Sequence, residues 1–175
     1  MSDFTFELAG EQFRRAYLLY IIDISHSKDR YFYIGQTGDN HYVTARPALR
    51  RLFGHLEDSG GSTQNQIYKY IATKILSYSK SSKREKYSDA CKQAVEDFLV
   101  GSIVRMHSYN VLPFNPYISR HDHQANVRKI SRLEQYVIKA FIDSGKSLIN
   151  KAVSAPSGSC PYPRQLARIK DEFGL

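Results

Sequence analysis

The sequence lacks tryptophan, has only two cysteines and contains no apolar run of the ~18 residues that a helix needs to cross a bilayer. Neither Cys91 nor Cys160 has a cysteine or histidine neighbour at zinc-ligand spacing, so neither a disulfide framework nor a zinc site is indicated. Asp3 and Glu7 stand where a secretory signal would begin with basic residues. We therefore expect a protein of the cytoplasm, in a reducing intracellular compartment and away from membranes.

Acidic residues are also in short supply. Twenty-five Lys and Arg stand against 17 Asp and Glu, which gives a formal charge of +8 and a pI near 9.4. Such a surface attracts polyanions, and nucleic acid is the leading class of partner. A charge excess that serves only solubility is the alternative, and charge alone does not choose between the two.

Two β-rich runs near the start predict a hairpin. Ala16 to Asp23 (AYLLYIID) is continuously apolar and of strand length, which is typical of a central strand. A short polar link leads to Arg30 to Thr37 (RYFYIGQT), which ends at the turn residues Gly38-Asp39-Asn40.

Apolar residues at helical spacing predict helices in the remainder of the chain. They are expected after Pro47, after the capping box Thr63 to Gln66 as far as Tyr78, over Ala90–Glu96 and Ser131–Ile142, and within the closing RQLARIKDEF. A third strand is expected around Phe98 to Met106, and a loop from Asn110 to Asp122. The fold class is thus α/β in the broad sense, more narrowly α+β, with a small, largely antiparallel three-stranded sheet flanked by helices. We expect one domain over residues 1–175, with a core of about 16–150 and an extension over 151–175.

Leu18-Leu19-Tyr20, followed closely by Tyr33-Ile34-Gly35, resembles the paired strand signature of the GIY-YIG nucleases. That family includes phage homing endonucleases, some restriction enzymes and the incision subunit of bacterial nucleotide excision repair. Leu18 departs from the pattern, because the family usually has glycine there, whereas YIGQT is intact. The resemblance spans roughly Leu18 to Asn150. It implies an endonuclease that cuts DNA, most readily double-stranded DNA, with Mg²⁺ or Mn²⁺ and leaves 5′ phosphates.

The resemblance also assigns residues downstream of the strands. An arginine on the first helix lies near a histidine one turn later in the family, and Arg51 and His55 have this spacing. Arg46 and Arg50 are close rivals of Arg51. We choose Arg51 because of His55, which would donate a proton or hold a phosphate unless it is simply structural.

Glu134 in RLEQYVI resembles the family glutamate that binds the metal, and Asn150 in SLIN resembles the asparagine near the end of the module. Each has another interpretation. Ser131 to Glu134 also fits a capping box, in which the glutamate folds back on the start of its own helix. Asn150 also suits a turn after a strand-like segment.

Hydrolysis of a phosphodiester requires a deprotonated water and neutralisation of charge at the phosphorus. Tyr20 is our choice for the general base and Tyr33 for its support, with the reverse assignment open. The alternative is that both are ordinary half-buried strand residues, since the chain has 13 tyrosines. Arg51 would grip the scissile phosphate with its planar fork.

Further basic residues are candidates for contacts with the nucleic acid. Lys80, Lys83 and Arg84 lie in a polar segment that suits an exposed loop, and Arg46, Arg50 and the Gly35 backbone lie close to the signature. The cluster at 121–123 (His-Asp-His) resembles a metal site, but we interpret it as an exposed polar loop.

Three hypotheses follow from the sequence: a nuclease, a module of the same fold that binds nucleic acid without cutting it, and an unrelated basic domain. Cleavage of both strands of a duplex would need either a homodimer or two successive events.

Overall fold

The computed structural model describes residues 7–57, 65–79, 86–150 and 156–175. In this part of the chain, three antiparallel strands form one sheet in the order β2-β1-β3, and five α-helices surround it. The strands are β1 (Ala16–His26), β2 (Asp29–Gln36) and β3 (Ser102–Pro113). The helices are α1 (Ala48–Leu56), α2 (Gln66–Tyr70), α3 (Asp89–Val100), α4 (Arg120–Asp143) and α5 (Pro163–Phe173). The expected α+β architecture is confirmed.

β1 is the central strand, as its continuous apolar run predicted. Its first nine residues are all buried, because helices cover both faces of the sheet. The strand continues past Asp23, where the sequence interpretation ended it. Asp23 is fully buried, and Arg30 on β2 neutralises it with two hydrogen bonds of 2.9 and 2.6 Å. The charge is therefore part of the strand and does not terminate it.

The predicted hairpin is confirmed, with a tighter turn. Ser25 pairs with Arg30 and His26 with Asp29, so that only Ser27 and Lys28 form the turn. Ser27 has a φ of 54°, the left-handed conformation that a two-residue hairpin turn uses.

The two faces of the sheet carry separate halves of the core. One face packs on α1, α2 and α3 through residues such as Tyr20, Ile22 and Ile71. The other packs on α4 and α5 through Leu19, Ile21 and Phe141. Alternation along β1 assigns successive side chains to opposite faces, which decides the helices that each tyrosine of this strand contacts.

The predicted loop from Asn110 to Asp122 is wrong at both ends, because β3 extends to Pro113 and α4 begins at Arg120. Ser119 is the N-cap of α4, since its hydroxyl accepts a hydrogen bond of 3.1 Å from the Asp122 amide. The helix therefore starts three turns before Ser131. Within the described ranges, no helix is both long enough and apolar enough to cross a membrane.

The interpretation of 121–123 as an exposed polar loop is also wrong. These residues form the first turn of α4, and His123 is only 1% exposed. The Tyr17 hydroxyl lies 2.6 Å from its Nδ1, and its Nε2 lies 2.7 Å from the Asp39 carbonyl oxygen. Both ring nitrogens are thus used within the protein, and His123 fixes the loop after β2 to α4.

The second predicted helix is present in two parts. α2 covers Gln66–Tyr70, and one π-helical turn continues it over Ile71–Ile75. Thr63, the first residue of the predicted capping box, lies outside the described residues. The third helix is longer than expected, because α3 reaches Val100. The predicted start of the third strand at Phe98 is therefore wrong: β3 begins at Ser102, after Gly101, and extends to Pro113.

Candidate active site

The sheet register brings the two signature tyrosines to one face. Tyr20 lies opposite Gly35 and Ile22 lies opposite Tyr33, so Tyr20 and Tyr33 are diagonal neighbours. Their ring centroids are 6.3 Å apart. A site shared by the two tyrosines requires both side chains on the same face of the sheet, and the register places them there.

Gly35 lies directly beneath the Tyr20 ring. A Cβ atom at this position would be 2.3 Å from the Tyr20 hydroxyl oxygen and 2.4 Å from the ring carbon that bears it. Only glycine leaves room for the phenol. Because Gly35 is buried under Tyr20, the predicted contact of its backbone with nucleic acid has no support in this geometry.

α1 supplies two groups to the Tyr20 hydroxyl. The Arg51 Nε donates a hydrogen bond of 3.1 Å to it, and the His55 Nε2 lies 2.8 Å from it. The two residues share a helix face because they are four apart. His55 is fully buried, with its ring 4.4 Å from that of Tyr33. A phosphate therefore cannot reach His55 in this arrangement.

The direction of these hydrogen bonds follows from the chemistry of the groups. Arginine only donates, so the Tyr20 oxygen accepts from Arg51. A hydrogen bond from the Tyr33 hydroxyl also lowers the pKa of Tyr20 and raises that of Tyr33. The Tyr20 proton is then left for the His55 Nε2, which accepts it when the imidazole is neutral and protonated on Nδ1. The Tyr33 hydroxyl thus donates to the Tyr20 oxygen, and the Tyr20 hydroxyl donates to His55.

Burial and the charge of Arg51 have opposite effects on the pKa of the Tyr20 hydroxyl. Burial raises the pKa of Tyr20 to about 12, although Arg51 and the hydrogen bond from Tyr33 act to lower it. Burial also raises the pKa of Tyr33, and the neighbouring Tyr20 and Glu134 raise it further. For Arg51, burial lowers the pKa, but the two tyrosines and Glu134 outweigh burial and raise it. Tyr20, Tyr33, Arg51 and His55 form a group that we call the hydroxyl cluster. Arg51 is its fixed positive charge.

Glu134 reaches the same cluster from α4. It is partly buried, and its charge influences the pKa values of Tyr20, Tyr33 and Arg51. Burial raises the pKa of Glu134 to about 7, against a lowering by Arg51. The capping-box alternative is wrong, because α4 begins at Arg120 and Glu134 lies in its interior.

The surroundings of Glu134 suit a hard divalent cation. No described residue donates a hydrogen bond to its carboxylate, so its oxygens can accept a metal. The described residues contain no cluster of three or more His, Cys, Asp or Glu side chains. One carboxylate is a donor set that fits Mg²⁺, which keeps most of its waters and takes phosphate oxygens from the substrate.

Asn150 contacts the signature by a route that the sequence did not predict. Its side-chain oxygen accepts a hydrogen bond of 2.7 Å from the Ile34 amide, and its side-chain nitrogen donates one of 2.7 Å to the Ile34 carbonyl oxygen. Nearby, the Phe32 amide donates to the Ser147 carbonyl and the Ile149 amide to the Phe32 carbonyl. Asn150 thus holds β2 in place beside Tyr33. In this arrangement it is a positioning residue.

The remaining basic candidates lie outside the hydroxyl cluster. Arg46 forms an ion pair of 3.1 Å with Asp39, and Arg50 is exposed on α1. Lys80, Lys83 and Arg84 lie outside the described residues. Of the three arginines considered, Arg51 is the one that contacts a signature tyrosine.

No protein-family model, curated protein or solved structure matches this chain. Only the signature residues and the geometry around Tyr20 therefore bear on its function.

Proposed function

We propose that this chain is a metal-dependent endonuclease of the GIY-YIG type that hydrolyses phosphodiester bonds in DNA. One observation carries the proposal. Arg51 and His55 of α1 and Tyr33 of β2 contact Tyr20 of β1 through hydrogen bonds. The charge of Glu134 on α4 acts on the same tyrosine. Such a convergence of these groups is not expected in an unrelated basic domain.

The hydrogen bonds suggest how the attacking water loses its proton. Tyr20 is fully buried, whereas Tyr33 is partly exposed, so we assign the contact with water to Tyr33. The water proton moves to the Tyr33 oxygen as the Tyr33 proton moves to Tyr20 and the Tyr20 proton to the His55 Nε2. The assignment modifies the sequence interpretation, in which Tyr20 itself met the water.

The remaining bond changes occur at phosphorus. The hydroxide oxygen forms a bond to phosphorus while the bond from phosphorus to the 3′ oxygen breaks, and the leaving oxygen takes a proton from solvent. Arg51 donates its Nε proton to Tyr20, which leaves its terminal N–H groups to neutralise the phosphate. Glu134 would hold the metal ion, which would supply positive charge at the phosphate and lower the pKa of a bound water.

The full burial of Tyr20 also supports a second candidate, a module of this fold that binds nucleic acid without cutting it. In that case the network around Tyr20 serves only stability. Such a protein would show salt-dependent affinity and no metal-dependent product.

Incubation of the protein with supercoiled plasmid, with and without Mg²⁺ or Mn²⁺, separates the two. We expect metal-dependent nicking or linearisation, reduced about 100-fold or more in Glu134→Ala, Arg51→Ala and Tyr20→Phe. Near-native cleavage by all three variants would exclude this site. An intact plasmid, combined with a mobility shift that weakens with salt, would favour the binding module.

The chain offers two matched controls. Tyr17→Phe removes a buried tyrosine–histidine contact from the same strand but from the opposite face, and Glu96→Ala removes an exposed helical carboxylate. Both should cleave like the native protein. Loss of cleavage in Tyr17→Phe would mean that destabilisation, and not chemistry, explains the Tyr20→Phe result.

A further inference from the structure

A basic groove of about 670 Å³ lies on α4, away from the hydroxyl cluster. Its charged lining consists of Arg128, Lys129 and Arg132, and its polar lining includes Asn40, Ser131 and Gln135. The volume is large enough for several groups of a polymer and exceeds what one bound ion needs.

The charge of this surface has one sign. From 123 to 142, α4 carries four basic residues and a single acidic one, Glu134. Glu134 interacts with the cluster around Tyr20, so it does not neutralise the groove. Arg128 and Lys129 are exposed, and neither has a hydrogen bond or ion pair with the described residues. Two cationic side chains are therefore available to a ligand.

The walls of the groove are built and held in place. The guanidinium of Arg132 donates to the Ser157 carbonyl, and the Tyr136 hydroxyl donates to the Gly158 carbonyl, so that the segment before α5 lies against α4. Gly158 has a φ of 69°, and a Cβ there would be 3.1 Å from Arg132. The opposite wall is the loop with Asn40, which His123 fixes to α4 through the Asp39 carbonyl.

We propose that this groove binds the phosphate backbone of the nucleic-acid substrate on the stretch of α4 that also carries Glu134. The inference rests on the proposed nuclease function, because it names a second contact surface for the same substrate. Ser131 and Gln135 border the groove and flank Glu134 in sequence, so one helix would present the carboxylate to the cleavage site and the cationic groove to the adjoining backbone. A phosphate backbone fits cations and amide groups, and among the described residues no carboxylate lines the groove.

The test is the salt dependence of binding in the absence of divalent metal. The double variant Arg128→Gln/Lys129→Gln removes both free cations and keeps good helix formers. The control Lys139→Gln/Lys170→Gln removes the same charge from exposed positions outside the groove. Binding of a fluorescent oligonucleotide is measured by anisotropy between about 50 and 200 mM salt.

Loss of two phosphate contacts should make the negative slope of log K against log salt shallower by about 1.8 on a duplex or about 1.4 on a single strand. Affinity at the lower salt concentration should fall by at least tenfold, while the control follows the native protein. Equal slopes in the variant and the control would overturn the inference, as would no binding by the native protein or equal competition by polyglutamate. Plasmid cleavage reports the proposed function separately, because a protein that cuts with an unchanged slope refutes only the groove.

Discussion

Replacement of Glu134 by glutamine should stabilise the folded protein above neutral pH while it abolishes metal-dependent cleavage. Burial raises the pKa of Glu134 from 4.5 to about 7. A carboxyl group with a raised pKa favours folding when it is protonated and opposes folding when it is ionised. Glutamine has nearly the shape of the protonated acid and no charge to lose, so it avoids the cost at every pH.

The magnitude follows from the difference between the two pKa values. A change from 4.5 to about 7 corresponds to about 3 kcal/mol. Because Glu134 is partly exposed, solvent screening reduces this value, and we expect a gain of about 1 to 3 kcal/mol in the free energy of unfolding. For a chain of this length, the midpoint of thermal unfolding should rise by about 2 to 12 °C.

The size of the stability difference depends on pH in a defined way. Below pH ~4 both the folded and the unfolded glutamate are protonated, so variant and native protein should be equally stable. The advantage of the variant should grow as the pH rises from 4.5 to about 7 and stay constant above that value. Mg²⁺ should stabilise the native protein at high pH and leave the variant unchanged, because only the carboxylate binds it.

Thermal unfolding of both proteins from about pH 3 to about pH 9, with and without Mg²⁺, measures the pH dependence and the effect of the metal, since this range extends beyond both pKa values. Glu96→Gln, which changes an exposed carboxylate on α3, controls for the substitution itself. Equal unfolding midpoints for native protein and Glu134→Gln at every pH would refute the argument from burial. An effect of Mg²⁺ that persists in the variant would place the metal on other groups.

Three further predictions concern the same site. Gly35→Ala should displace the Tyr20 ring, lower the free energy of unfolding by about 1 to 3 kcal/mol and reduce cleavage. At Gly10 a Cβ meets nothing within 4 Å, so Gly10→Ala should change neither stability nor cleavage, and equal urea midpoints for the two variants would contradict this expectation. Asn150→Ala should lower the free energy of unfolding in urea by about 1 to 2 kcal/mol, because the Ile34 amide and carbonyl lose their side-chain partners. Unchanged stability with lost cleavage would instead indicate a direct catalytic role for Asn150. At saturating substrate and limiting Mg²⁺, the cleavage rate should rise about tenfold per pH unit below about 7 and level off above it, since protonated Glu134 cannot bind the cation. A rate independent of pH in this range would exclude Glu134 as the metal ligand.

The parts of the fold that could be predicted are those whose signal is local. β1 was recognisable because both of its faces are apolar, and the hairpin because only a short polar link separates two β-rich runs. The pairing of Arg51 with His55 needed only the four-residue spacing of one helix turn.

The start of α4 could not be predicted in the same way. Its first turns are polar and offer few apolar residues at helical spacing, so a loop was the better local interpretation. The burial of His123 depends on Tyr17 and on the Asp39 carbonyl, which are remote in sequence. Because the start of α4 was predicted near Ser131, the capping-box interpretation of Glu134 stayed open, since it required a helix that began there.

The candidate site shows a similar division. The sequence supplied the residue types, but not the order of the hydrogen bonds from Tyr33 to Tyr20 to His55. The full burial of Tyr20 and the role of Gly35 as the space beneath it both follow from the sheet register. Register is a property of two strands together, and one strand read alone does not reveal it.

The contacts of residues 147–150 with β2 also limit how two copies of this protein can associate. The Phe32 and Ile34 backbone groups that would face a neighbouring strand are already paired, partly with main chain and partly with the Asn150 amide. An edge closed in this way resists aggregation by strand addition. In the described part of the sheet, β3 is the other edge, so two copies that joined their sheets would pair more readily through β3.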